Sequence, residues 1–220
     1  MSTYLLVKFL HIVGFAYWLG GDLGVFHSSY WVADRTQPPA VRIAAARILF
    51  WLDQVPRICM TMMLPLGLHL AWSLNLLPLS PAAMALIWVA GFAWLGNVIY
   101  LHLASASSAK NLLTKVDYWF RLLLSLGLIA IGVLALLTPL IALPYWVSWK
   151  LAIFGVLVGC GLLVRVQLAP FGPAFAKLAA GDADDTDNEA IRASLARTRP
   201  YVVIIWIGLL ASTALGLHLI

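Results

Sequence analysis

The amino-acid sequence predicts an all-α integral membrane protein, a bundle of six transmembrane helices. Three observations carry that prediction. Hydrophobic residues make up 63% of the 220-residue chain and charged residues only 10%, whereas soluble domains hold about 25% charged residues. Mean hydropathy is +0.94. Apolar runs of about 20 residues, the length that crosses a hydrocarbon core ~30 Å thick, fall near 3–32, 55–77, 82–105, 118–142, 146–169 and 200–219. One transmembrane domain over 1–220 follows, with both termini on the same side of the bilayer.

Charge sets the orientation. Arg35, Arg42, Arg47 and Arg57 lie in or beside the first connector, Lys110, Lys115 and Arg121 beside the third, and Arg165, Lys177, Arg192, Arg197 and Arg199 beside the fifth. The second connector (LLPLSPAA) and the fourth (ALPYW) are short, with only Lys150 nearby. By the positive-inside rule the basic connectors are cytoplasmic and both termini face outside. The net charge of +5 is spread over these connectors with no aromatic-interleaved basic face, which argues against a nucleic-acid partner and leaves the lipid bilayer as the partner that composition implies. Lys8 is followed by a polar-interrupted span without a small-residue cleavage site, so the first span is expected to remain in the mature chain.

Within the connectors, AVRIAAARILFWLDQ (40–54) sets Arg42 and Arg47 among Ile43, Ile48, Leu49 and Trp51, a pattern that suits a helix lying at the inner interface. The fifth connector passes Pro170, Gly172 and Pro173, then carries FAKLAAG and the acidic run DADDTDNE. That run lacks the central glycine and correctly spaced bidentate Glu of a calcium loop and reads as a solvated turn. Arginines stand at the inner ends of the second, fourth and sixth spans, and the second and sixth close with LGLHLA and LGLHLI. Three hairpins, each a span, a basic connector and a returning span, describe the chain.

Ionisable groups inside a bilayer are costly and mark functional sites. The first span alone carries Lys8, His11, Asp22 and His27. With orientation set, the five histidines fall in two layers: His11, His69 and His218 near the outer ends of the first, second and sixth spans, and His27 and His102 near the inner ends of the first and third. His11 and His27 are about 24 Å apart along a helix and point roughly 160° apart, so they cannot share one centre. Pairs of neutral imidazoles from neighbouring helices ligate a b-type haem from its two faces. The outer pair is His11 with His69 or His218, the inner pair His27 with His102, giving one or two haems. Lys8 lies one turn from His11 on the same face, where it can meet a propionate or reach to the interface. Asp22 is expected to pair with Arg57 or Arg121, to bond to Asn97, or to relay protons.

Copper is the alternative cofactor. The run CMTMM supplies Cys59, Met62 and Met63, soft ligands that suit Cu(I), although they lie toward the inner end of the second span. Cys59 and Cys160 form no CxxC and read as buried thiols. A third reading is a structural or assembly subunit whose histidines are interfacial. For the haem reading, electrons pass between the haem and a quinol or a periplasmic redox partner.

VKFLHIVGFAYWLGGDLGVF, a Lys-x-x-His entry followed by an aromatic and glycine-rich stretch, resembles the first helix of the CopD and HemJ group of bacterial inner-membrane proteins, and WKLAIFGVLVGCGLLVRVQLAPF resembles a second helix of that group. The resemblance covers roughly a third of the chain and implies an inner-membrane helical bundle, tied to copper uptake in one branch and to haem b and porphyrinogen oxidation in the other. The Lys-x-x-His pattern falls on Lys8 and His11. His27 does not match the spacing of the second histidine of the porphyrinogen branch, and no methionine-rich outer loop is present.

Overall fold

The computed structural model describes residues 2–219, and every regular element among them is a helix. In chain order these are α1 (Thr3–Ala33), α2 (Pro39–Leu52), α3 (Gln54–Ser73), α4 (Pro81–Leu103), α5 (Ser108–Leu137), α6 (Tyr145–Gln167), α7 (Phe171–Ala180) and α8 (Asp185–Gly216). Five of them, α1, α4, α5, α6 and α8, are long and apolar enough to cross a membrane. Their outward faces are apolar too: Leu86, Leu103, Leu123 and Leu137 are all exposed, as expected of helices that meet lipid.

Start and stop signals follow from local chemistry. Ser2, Ser80 and Ser107 each accept a backbone N–H in the first turn of α1, α4 and α5, satisfying donors the helix cannot use itself. Asp184 and Asp187 form a reciprocal capping box at the start of α8. Those two residues belong to the acidic run read from sequence as a solvated turn, and the box makes that run the origin of a helix. The sixth apolar run was expected to begin at Pro200, but α8 continues through Pro200 and starts fifteen residues earlier.

α1, α3, α4, α5, α6 and α8 pack in that cyclic order, each against the next and α8 back against α1, with α3 and α6 also touching across the ring. Small residues allow the closest approaches. A Cβ at Gly132 would sit 2.6 Å from the Ser148 carbonyl oxygen, and one at Gly155 would sit 2.7 Å from that of Ser125, so α5 and α6 meet backbone to backbone. Ser125 Oγ donates to the Gly155 carbonyl across this contact at 2.7 Å.

α2 and α7 lie at one end of the ring, called basal here. They enclose an apolar cluster of Val32, Ala46, Leu49, Phe171, Leu178 and Ile191 with the end of α1 and the start of α8. Arg42 is buried beneath it: its Nε donates to the Val32 carbonyl at 2.9 Å and its Nη1 to Asn188 Oδ1 at 2.7 Å. Ion pairs Lys177–Asp187 and Arg35–Asp185 tie the acidic start of α8 to its neighbours. The Asp187 contact holds the Lys177 ammonium above its usual range.

Candidate functional site

One face of α1 forms a continuous seam with α3. Down the seam, His11 sits on Gly67, Gly14 on Met63 and Gly21 on Pro56, and just beyond it Gly24 meets Leu52 at the end of α2. His11 and Asp22 are eleven residues apart, which is about 16 Å and within about 20° of the same direction, so both side chains enter this seam.

At its upper end His11 Nδ1 is buried without a hydrogen-bond partner. The ring lies over Gly67, where a Cβ would come within 3.2 Å of its Cε1. Lys150 of α6 is close enough for its charge to act on the imidazole. Lys150 also faces the Trp146 ring at 5.3 Å, and His218 stands edge-on to the same indole at 5.4 Å. Lys8, placed beside His11 by sequence, is exposed.

His69 turns the other way. Its Nδ1 accepts the Trp88 indole N–H at 3.2 Å, and Trp72 and Trp88 both meet its ring edge-on. Gly67 and His69 are two residues apart, about 200° around α3, so His11 approaches one side of α3 while His69 points toward α4. The structure does not bring these two rings to one face, and His218 is exposed. In the basal layer His27 is exposed on α1, while His102 is exposed on α4 with its ring edge-on to Trp51 of α2. Among the described residues no group of three or more His, Cys, Asp or Glu side chains is placed to hold a metal ion. Were a b-type haem bound, the unpartnered Nδ1 of His11 is the buried ring nitrogen that would be available to hold it, and Lys150 would stand near as a cation for a carboxylate.

Two of the soft donors proposed for copper, Cys59 and Met63, stand one turn apart on α3. Met60 and Met63 are buried in an apolar cluster with Trp18 and Trp94, with Cys59 packed at its margin. Met60 Sδ receives an Arg121 N–H at 3.8 Å, and Met62 is half-buried.

Asp22 is buried, and its Oδ2 has no hydrogen-bond partner. The partners expected for it are engaged elsewhere. Arg57 pairs with Asp53, and both Arg121 and Asn97 bind Asp117. The reason is spacing: Asp53 and Asp117 each stand four residues before their arginine on a shared helical face, whereas Asp22 must be reached across a helix interface.

Asp117, which no motif in the sequence marks, is the most heavily hydrogen-bonded acid among the described residues. It is 1% exposed. Oδ2 accepts Arg121 Nε at 2.9 Å and Arg165 Nη2 at 2.7 Å, and Oδ1 accepts Trp94 Nε1 at 3.2 Å and Asn97 Nδ2 at 3.5 Å. Three helices thus converge on one carboxylate. The i, i+4 step from Asp117 to Arg121 was the signal available in the sequence; Arg165, 48 residues on, gave none.

Comparison with protein-family models, with curated proteins and with solved structures gives no match to this chain.

Proposed function

We propose that the chain is a six-span protein of the bacterial inner membrane that binds one b-type haem through His11 and serves one-electron transfer, with a quinol or a periplasmic protein as redox partner. α3 is the sixth span in this reading. Its 20 residues make a rod of about 30 Å, matching the hydrocarbon core, and it occupies a place in the ring between α1 and α4. Thr61 and Pro65 in its middle turns are buried, and Pro65 packs on Gly91 of α4. α2 and α7 then lie at the cytoplasmic interface.

The observation that carries the haem assignment is the buried, unpartnered Nδ1 of His11. An imidazole nitrogen deprived of both water and protein partners is costly, and iron coordination would satisfy it. The Lys-x-x-His entry shared with the CopD and HemJ group supports the same residue. Bound haem supplies reversible one-electron chemistry. The protein's part is to hold the ring of His11 against Gly67, to set the Lys150 charge beside it, and to exclude water with the apolar walls of α1 and α3. Asp22, farther down the seam with a free carboxyl oxygen, is suited to take up a proton when negative charge arrives.

Absorption spectroscopy of the detergent-purified protein, expressed with haem synthesis intact, tests this. A reducible Soret band with a sharp α band is expected, abolished by His11→Ala and retained in His69→Ala. A colourless protein, or a haem spectrum that survives His11→Ala, would overturn the proposal.

A further inference from the structure

At the basal end of the ring, away from His11, a cavity of about 180 Å³ opens between α3, α4, α5 and α6. Three guanidinium groups line it, those of Arg57, Arg121 and Arg165, together with Gln54 and His102. Two carboxylates answer the three cations. Asp117 lies in the wall behind Arg121 and Arg165 and is shared by both, and Asp53 pairs with Arg57. One positive charge is left over.

The surplus lies in the cavity wall: Arg121 is 6% exposed and paired, while the Arg165 and Arg57 side chains are 30% and 39% exposed, partly withdrawn from the water that would otherwise solvate them. Arg165 reaches Asp117 through Nη2 only, while its Nη1 is buried without a partner. The acceptor capacity of Asp117 is already filled by Arg121, Arg165, Trp94 and Asn97, so Asp117 has no lone pair left for the second fork of Arg165. Two planar forks with spare N–H groups and a net positive lining match a group with several anionic oxygens.

We propose that this cavity is a binding site for a phosphate group, held by Arg57, Arg121 and Arg165 with Gln54 as a neutral donor. A single phosphate supplies more acceptor oxygens than one carboxylate and returns the lining to neutrality or beyond. The chemistry is shared by free phosphate or a small phosphate ester from the aqueous side and by the headgroup of an anionic phospholipid. Basic pockets between membrane helices on the cytoplasmic side take such headgroups, and the exposed His102 and Leu103 at the end of α4 place the cavity beside the surface where lipid would lie.

The test uses the full chain in two arms. In detergent, inorganic phosphate is titrated while thermal unfolding is followed, with chloride at matched ionic strength as control. In lipid, the protein is reconstituted in phosphatidylcholine vesicles with and without phosphatidylglycerol, and co-purifying phospholipid is read by native mass spectrometry. Saturable stabilisation by phosphate beyond chloride identifies the free ion or ester; retained phosphatidylglycerol that phosphate does not displace identifies the lipid. Arg165→Gln leaves the Arg121–Asp117 pair intact and should weaken whichever ligand binds by roughly tenfold or more, with Arg165→Lys recovering part of the loss. Arg57→Gln, on another helix, should act in the same direction if Arg165→Gln fails to fold. The proposal is overturned if phosphate acts no differently from chloride and phosphatidylglycerol is not retained, or if both arginine variants bind as wild type.

Discussion

Asp117 shows how a single carboxylate can organise a membrane interior. Its two oxygens take four donors from α4, α5 and α6, and removing its charge leaves Arg121 and Arg165 facing each other without compensation. Breaking one partner out of a buried pair costs about 3–5 kcal/mol. Asp117→Asn is therefore expected to lower the unfolding free energy by about 3 kcal/mol, read by denaturant titration in detergent. Adding Arg121→Met should recover part of that loss, because the double variant removes the stranded charge. At this scale the sequence was half legible. His11, Asp22 and Lys8 could be singled out because a titratable group in an apolar run stands out, but the direction of His69 and the partners of Asp22 depend on which face of α3 each neighbour occupies. Rotation about a helix axis of 100° per residue decides both, and an apolar span facing lipid on one side and helices on the other leaves that rotation weakly marked.

Element by element, the close contact of α5 with α6 is made possible by Gly132 and Gly155. Gly155→Leu would drive a side chain into the backbone of α5, where a Cβ alone already meets the Ser125 carbonyl and Ile129. Overpacking of this kind costs about 1–3 kcal/mol or more; the expected result is a lower thermal midpoint in detergent, while Gly161→Leu, where a Cβ meets nothing within 4 Å, leaves it unchanged. Helix existence was readable from run length, and α2 was visible in the arginine-punctuated segment at 40–54. The start of α8 was not, because its first half is charged and Pro200 suggests a boundary. Its capping box and the packing of Ile191 and Leu195 into the basal cluster outweigh the one hydrogen bond that proline removes.

For the whole molecule, the basal end carries most of the charge and should answer to pH. Asp34, just beyond α1, accepts the Thr36 hydroxyl at 2.7 Å and backbone N–H at 2.9 Å and the Gln37 amide at 3.2 Å. The Thr36 hydroxyl first, then its N–H and Gln37, hold this carboxyl below the usual carboxylate range. A carboxylate depressed by folding stabilises the folded state above its unfolded pKa of about 4 and loses that contribution as pH falls through its folded value. Asp34→Asn should thus destabilise the protein at neutral pH and flatten the acid side of its stability profile, measured by thermal unfolding between about pH 2 and 6.

α8 joins the two ends of the molecule in one piece. Its 32 residues extend about 48 Å, well beyond the ~30 Å of hydrocarbon, so it acts as a rod rooted at Asp184 in the basal cluster and ending at Gly216, which packs on Lys150. Lys150 is also the cation whose charge reaches His11. A displacement of the base of this rod would move its far end against Lys150, giving the basal end a mechanical hold on the electrostatics of the opposite end.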